Sequence, residues 1–239
     1  MNRALVIARR ELTGYFISPV GYVALMLFLI LTGVLFLRDL EPGKPAAMRT
    51  IFDWMVWVLV IVVPVLSMGL LSQEWSSGTI EPLMTAPVGE TEVVLGKFAG
   101  GLAFFAILLA PTLCYVVVLR IFARPDYGPI FSGYVGILLV GSLFLAVGLF
   151  CSALTRSQVV AAVSAVAILF TITIVPWWAD RIATLSTAWR RYFVDQGVYN
   201  RYADFSKGII DTGHIVFFAV LTAVFLFLTV KVLESRRWK

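Results

Sequence analysis

Six long hydrophobic runs alternate with shorter polar stretches along the chain. An α-helix rises about 1.5 Å per residue, so about 20 apolar residues cross a hydrocarbon core of about 30 Å. Backbone groups in lipid must be paired within the segment, and the runs lack the alternation of strands, so we expect helices. The predicted spans are 20–37, 54–71, 98–119, 134–151, 159–178 and 215–230. The sequence therefore predicts an all-α integral membrane protein with six transmembrane helices.

The first 19 residues have a different pattern, in which apolar side chains gather on one side of a helix and Arg or Glu residues lie elsewhere. A basic amphipathic helix of this kind lies in the membrane interface and does not cross the bilayer. We expect Ser18-Pro19 to end it, because proline disfavours helix in the residue before it. The chain is therefore divided into an interfacial helix, 1–19, and a six-helix domain, 20–239. The apolar set of the first helix is Leu5, Ile7, Ala8, Leu12, Tyr15 and Phe16.

The composition agrees with this class of protein. The chain of 239 residues is 60% hydrophobic and 14% charged, with a mean hydropathy of +0.94. A soluble domain of this size needs far more polar surface. The formal net charge of +5 comes without a basic stripe interleaved with aromatic residues, so it indicates a membrane surface and not nucleic acid. Both cysteines, Cys114 and Cys151, lie inside hydrophobic runs and are expected to pack there.

The predicted spans lack the residues that catalysis or ion coupling needs. None contains an Asp, Glu, Lys or Arg in its interior, which disfavours proton relays, ion-coupled carriers and channels. The chain has one histidine, His214, which we expect at the interface or as a helix cap. The motifs HExxH, GxSxG and GxxxxGK(S/T) are absent. We therefore predict no enzyme activity, metal or cofactor in this chain, and any nucleotide hydrolysis must come from another chain.

A polar stretch, 73–97, separates the second and third spans. A segment of this length and polarity lies outside the hydrocarbon, in water or against a partner, because burying unpaired polar groups is costly. The residues alone support two interpretations equally: a solvated loop with helix caps, or a surface that binds a soluble protein. Its acidic residues are Glu74, Glu81, Glu90 and Glu92.

Local signals divide this stretch into short helices. Thr79 is expected to cap a helix over about 80–86, and a second helix is expected to start at Gly89-Glu90 and lead into the third span. Residues at i, i+4 and i+7 lie on one helix face. Three such residues would share a face if helical structure extended that far: Glu74, Gly78 and Glu81.

An even number of spans places both chain termini on the same side of the membrane. Lys and Arg are divided almost equally between the two sides, so the basic residues that flank the first and last spans decide the orientation, and we expect both termini in the cytoplasm. Residues 38–53, 120–133 and 179–213 then face outward, and 152–158 form a tight inner turn. An amphipathic helix is expected in 179–213 from the spacing of Ile182, Leu185, Trp189 and Phe193.

The stretch 73–97 resembles the signature of type-2 ABC transporter permeases. The similar residues are Glu74–x3–Gly78-Thr79-Ile80-Glu81–x–Leu83-Met84-Thr85–x–Pro87, followed by Gly96-Lys97. The amphipathic first helix, the six spans, the turn at 152–158 and the basic tail are also similar to that family, so the resemblance covers essentially the whole chain. The tail 205–238 looks most like the gliding-motility-associated branch of these permeases.

The resemblance implies a fold, a location and a partner. Such permeases lie in the bacterial inner membrane and bind a cytosolic ATPase subunit, which holds the ATP and Mg. The first helix would be the connecting helix, and the loop after the second span would form a coupling helix that docks in a groove of the ATPase. The turn 152–158, with Arg156, would make a second contact. The residues implied in the main contact are Glu74, Gly78, Thr79, Glu81, Leu83, Met84 and Pro87.

Half-transporters of this kind need a second permease half, either identical or a sister chain. Small residues let helices approach closely, and two sets recur at a spacing of four. Packing within the chain is the favoured interpretation of both sets, and a dimer interface is the alternative. The sets are Gly96 with Gly100 in the third span, and Ser157, Ala161 and Ala165 in the fifth.

Two functions remain open at this point. The first is a permease that exports an apolar or amphiphilic substrate by alternating access, since the predicted spans are uncharged. The second is a membrane anchor that passes ATPase motion to an extracytoplasmic or accessory partner through 179–213 and translocates nothing.

Overall fold

The chain folds into α-helices, as predicted. The structure is a computed structural model that describes residues 3–39, 48–79, 89–122, 125–179 and 197–237. No strand occurs within these ranges. A 3-10 turn, Ala110–Thr112, joins α5 to α6. The helices are α1 (Arg3–Ile17), α2 (Pro19–Asp39), α3 (Arg49–Ser67), α4 (Gly69–Ser77), α5 (Glu90–Leu109), α6 (Leu113–Phe122), α7 (Tyr127–Leu154), α8 (Gln158–Ala179), α9 (Val198–Ser206) and α10 (Thr212–Arg237).

Six segments of the described chain are long and apolar enough to cross a membrane, which confirms the predicted number. The second and third contain 29 and 32 residues. At 1.5 Å per residue they reach about 43 and 48 Å, well beyond a hydrocarbon core of about 30 Å. This surplus length allows Glu74 and Lys97 to lie outside the hydrocarbon. The segments are Pro19–Asp39, Arg49–Ser77, Glu90–Ile121, Tyr127–Leu154, Gln158–Trp178 and Thr212–Arg236.

Two of the spans form the centre of the bundle. In the second span, α3 with α4, and in the fourth, α7, 72% of the apolar window is buried, against 22–33% in the other four. The two pack closely because Gly133 and Gly148 of α7 leave no room for a Cβ against Phe52 and Ser67 of α3. The outer four spans expose apolar side chains, which suits contact with lipid or with another membrane-spanning chain.

The second span is interrupted between Ser67 and Gly69, one turn after Pro64. Pro64 stays inside α3, and the Met68 N–H donates to its carbonyl oxygen at 2.9 Å. α4 starts at Gly69, where the amides of Leu71 and Ser72 turn to a hydroxyl on α7. The break therefore lies where a neighbouring helix competes for backbone donors, and not at the proline itself.

α1 and α2 are separate helices joined at Ser18, which confirms the predicted end of the first helix. Pro19 is the first residue of α2, a position where its missing N–H leaves no hydrogen bond unmade. α1 lies against α5, while Leu5 and Ile17 on its other side are 66% and 78% exposed. We call the end of the bundle that carries α1, α4, the start of α5 and the end of α10 the α1 end.

The opposite end, which we call the α9 end, carries the short helix α9. Tyr202 and Phe205 of α9 are fully buried against α7, and the Ser132 hydroxyl of α7 donates to the Phe205 carbonyl at 2.7 Å. His214 lies in the first turn of α10, with Nε2 at 3.1 Å from Asp204 Oδ2. The amphipathic helix predicted from the spacing of Ile182 to Phe193 lies outside the described residues, so it stays a prediction.

Candidate functional site

The first end of the 73–97 stretch is the short helix α4. It ends at Ser77, because Gly78 takes a left-handed conformation with φ of 71° that terminates the helix. The condition under which Glu74, Gly78 and Glu81 would share a face, a helix that continues from α4 through Gly78, is therefore not met. Four predicted contact residues and the helix predicted over 80–86 lie outside the described residues: Glu81, Leu83, Met84 and Pro87.

The second end of the stretch is the start of α5, where the sequence predicted it. Gly89 is the N-cap with extended backbone, and its N–H donates to Glu92 Oε2 at 3.2 Å. Glu90 and Glu92 occupy the first turn, where negative charge is favoured by the helix dipole. Both ends of the stretch are thus regular helix, on either side of residues 80–88.

A buried lysine joins these two ends to α1. Lys97 Nζ lies 2.8 Å from Glu74 Oε1 and 2.7 Å from Glu11 Oε1, and the Lys97 residue is 1% exposed. A buried ammonium is stable only when it is paired and hydrogen-bonded. We call Glu11, Glu74 and Lys97 the Lys97 clamp. It fixes α4, α5 and α1 to one another.

Close contact between α1 and α5 makes this clamp possible. A Cβ on Gly96 would lie 2.8 Å from the Ala4 carbonyl oxygen, and one on Gly100 would lie 2.7 Å from Glu11 Cβ. Real Cβ atoms are not found at such distances, so both positions require glycine. The predicted small-residue set of the third span therefore packs within the chain. Ala161 and Ala165 of the fifth span are likewise buried inside it.

A serine of α7 stabilises the break between α3 and α4. Ser152 Oγ accepts hydrogen bonds from the Leu71 and Ser72 amides at 3.0 and 2.9 Å, and it donates to the Met68 carbonyl at 2.8 Å. The side chain is fully buried. It pairs two backbone amides at the start of α4 and adds a donor to the Met68 carbonyl. Ser152 therefore connects α7 to the junction between α3 and α4.

The end of α10 holds α4 from a further side. The Arg236 guanidinium lies 4.8 Å from the centre of the Trp75 ring on α4, and it donates to the Leu154 carbonyl at the end of α7 at 2.5 Å. A separate apolar cluster fills the space between α4, α5, α7 and α10. It consists of Leu70, Leu71, Val93, Val94, Leu149, Ala153, Val230 and Leu233.

The family model described as "ABC-2 family transporter protein" matches residues 26–188, which is more than half of the chain. The chain belongs to the ABC-2 transporter family. The match covers most of the first five spans and the whole 73–97 stretch. No curated protein matches the chain. The protein is therefore a permease subunit of an ABC transporter and a multi-pass membrane protein. Permeases of this family generally pair with ABC ATPase subunits.

The structure separates the predicted contact residues of the permease that it describes into two groups. Gly78, Thr79 and Arg156 are exposed at the α1 end, and Thr79 Oγ1 lies 2.8 Å from Ser77 Oγ. Glu74 points inward instead, with a side chain that is 12% exposed and committed to Lys97. Glu74 therefore links α4 to α5, and it supports the exposed residues Gly78 and Thr79 from inside the protein.

Sequence reasoning missed most of the groups that hold this end together. Lys97 was noted only as part of the signature, and Glu11 only as a polar residue of the first helix. A lysine at the edge of a hydrophobic run, between Gly96 and Gly100, was the available signal, because a charge among close-packing residues needs a partner. Nothing in the sequence distinguished Ser152 from other serines in apolar runs.

Proposed function

We propose that this permease couples ATP hydrolysis by a separate cytosolic ABC ATPase to the export of an apolar or amphiphilic substrate. ATP and Mg are bound by that ATPase, and this chain supplies no cofactor or catalytic residue. The α1 end faces the cytoplasm with both termini, in a bacterial inner membrane. The support for this orientation is the basic residues that flank the first and last spans.

The observation that carries the proposal is the Lys97 clamp. Residues 80–88 connect two helices whose ends are tied to each other and to α1 by a buried lysine. A force applied to this connection reaches α4 and α5 together, and through Ser152 it reaches α7. A soluble motor protein can move two spans together when it binds a connection whose flanking helices are tied to each other.

The proposed ATPase contact combines both groups of residues. Glu81, Leu83, Met84 and Pro87 dock in the ATPase, Gly78 and Thr79 form the border of the contact, and Glu74 shapes it through the clamp. Arg156, exposed in the short turn between α7 and α8, makes the second contact. Helix 1–19 is the connecting helix, and 20–239 is the permease domain.

A second permease half, identical or a sister chain, completes the proposed transporter. The four outer spans expose long apolar faces. Part of this surface contacts the second half, and the rest contacts lipid. The uncharged interiors of the predicted spans support an apolar or amphiphilic substrate. The resemblance of 205–238 supports assignment to the gliding-motility-associated branch.

Charge reversal at Glu81 tests the coupling contact. We expect Glu81→Lys to lose co-purification of the ATPase and stimulation of its activity, while Asp39→Lys at the other end of the bundle keeps both. Equal ATPase binding and stimulation in the two variants would refute the coupling role of residues 80–88. The transport step is tested separately in vesicles that contain both subunits, where ATP-dependent movement of an amphiphilic substrate is expected; its absence with intact coupling would favour the anchor function.

A further inference from the structure

A cleft opens beside the Lys97 clamp at the α1 end. It has a volume of about 420 Å³ and lies between α1, the break of α3 and α4, and the start of α8. A volume of this size is in the range of sites that bind small molecules or lipid headgroups. One wall carries apolar residues, Val20, Val65 and Leu66, and another carries the charged residues Arg10, Glu11, Glu74 and Lys97.

The clamp leaves one negative charge without a partner at this cleft. Two carboxylates, of Glu11 and Glu74, share the single ammonium of Lys97. The second oxygen of Glu74, Oε2, is buried and has no hydrogen-bond partner within the described part of the chain. A buried carboxylate oxygen without a donor is costly, so a ligand that brings an N–H donor with positive charge is favoured at this position.

The opposite charge is available at the edge of the same cleft. Arg10 lines the cleft and is exposed, one residue before Glu11 on α1. Arginine binds phosphate through two parallel hydrogen bonds. A ligand with an ammonium and a phosphate joined by a short linker therefore matches the cleft in the order Glu74, then Arg10.

The surroundings place this cleft at the level of lipid headgroups. α1 exposes Leu5, Phe16 and Ile17, which is typical of a helix lying in the membrane interface. Next to the cleft, α2 exposes Tyr22, Val23 and Met26, an apolar surface on which acyl chains can lie. A phospholipid is the amphiphile that combines both surfaces.

We propose that this cleft binds an ethanolamine-headed zwitterionic phospholipid, with its ammonium on Glu74 Oε2 and its phosphate on Arg10. The lipid fills the space between α1 and the break of the second span, and it thereby connects the interfacial helix to the spans beside it. This site borders the proposed ATPase contact, since Thr79 belongs to both, but it does not depend on the proposed transport function.

Headgroup chemistry separates this lipid from the common alternatives. A choline headgroup has the same charges but no N–H, so it cannot donate to Glu74 Oε2. A glycerol headgroup offers hydroxyl donors but carries a net negative charge, which the unpaired charge of the clamp repels. The order of binding expected from the structure is therefore ethanolamine, then choline, then glycerol.

The experiment measures which lipids remain on the purified permease. The full chain, without ATPase, is reconstituted in nanodiscs that hold equal amounts of ethanolamine, choline and glycerol phospholipids, and the lipids retained after release are identified by native mass spectrometry. We expect ethanolamine lipid to be retained about tenfold more than choline lipid, the ratio that corresponds to one additional charge-assisted hydrogen bond.

Three variants, two of them with a neighbouring control, connect this preference to the cleft. Arg10→Gln is expected to reduce retention, while Arg9→Gln, next to it on α1 but outside the cleft, is not. Gly14→Leu places a larger side chain at the lining of the cleft, where its Cβ meets nothing within 4 Å, and its control is the exposed Thr13→Leu. Glu74→Gln is expected to remove the preference for ethanolamine over choline.

Each outcome decides the proposal. A preference for ethanolamine over choline in the unaltered chain, with retention that falls in Arg10→Gln and Gly14→Leu but not in their controls, supports it. A preference for glycerol lipids, equal retention of all three, or a preference that Gly14→Leu leaves unchanged would overturn it. Since Gly14 is exposed and a Cβ there meets nothing within 4 Å, its result stands even if Glu74→Gln fails to fold.

Discussion

The two ends of the bundle both contain a lysine paired with an acidic residue, but they are built differently. At the α1 end, Lys97 is almost completely buried and joins three helices. At the α9 end, Lys207 pairs with Asp204 three residues away, and the two side chains are 42% and 35% exposed. Exposed pairs of this kind contribute little, whereas removing one member of a buried pair leaves a charge without compensation. The buried pair at the α1 end therefore connects three helices, whereas the exposed pair at the α9 end connects none.

The largest effect is expected from breaking the clamp. Lys97→Met leaves two buried carboxylates without their cation, so it should lower the free energy of unfolding by about 3–5 kcal/mol. The measurement is denaturant unfolding of the purified permease in detergent, with Lys207→Met as the matched control at the α9 end, where we expect a loss of less than about 1 kcal/mol. Similar losses in both variants would show that the two ends are held equally.

A smaller effect is expected at Ser152. Ser152→Ala leaves the Leu71 and Ser72 amides without their partner, at a cost of about 2–3 kcal/mol. Hydrogen exchange of those two amides should become faster at the same time. The control is Ser142→Ala, since its hydroxyl bonds only the Leu139 carbonyl of its own helix. Unchanged exchange at Leu71 and Ser72 would contradict the role of Ser152 at the break.

The smallest effect is expected at the α9 end and depends on pH. Burial raises the pKa of Asp204, but hydrogen bonds from Lys207 and His214 outweigh it and lower the pKa below its ordinary value. A carboxyl with a lowered pKa in the folded state stabilises the fold above its unfolded pKa of about 3.9, and this contribution is lost as pH falls through the folded value.

This pH dependence is measured by unfolding the permease between neutral and strongly acidic pH. We expect Asp204→Asn to remove a small acid-dependent part of the stability, well below the effect of Lys97→Met because Asp204 is partly exposed. An unchanged pH profile in Asp204→Asn would show that these hydrogen bonds contribute nothing to stability.

The parts of this structure that the sequence predicted are those with local causes. Hydrophobic length gave the six spans, Ser18-Pro19 gave the end of α1, and Gly89 with Glu92 gave the start of α5. Each of these signals lies within a few residues of the feature it specifies.

The parts that were missed depend on distant pairs. Lys97 meets Glu11 across 86 positions of sequence, and Ser152 meets Leu71 across 81. Helical periodicity carries no information on such pairs, because it shows which face of a helix is apolar and not which helix covers that face. For the same reason the sequence does not show that the Glu74 carboxylate pairs with Lys97.

The single residue between α1 and α2 gives the first helix the geometry of a lever. α1 contains 15 residues, so its arm is about 22 Å long at 1.5 Å per residue. A tilt of about 10° around Ser18 would displace its far end by about 4 Å at this rise per residue. Because Gly96 and Gly100 fasten α1 along α5, that lever turns with the third span and pulls on the first span at Pro19. Motion of α5 would in this way reach two spans, the third and the first, that are not neighbours in sequence.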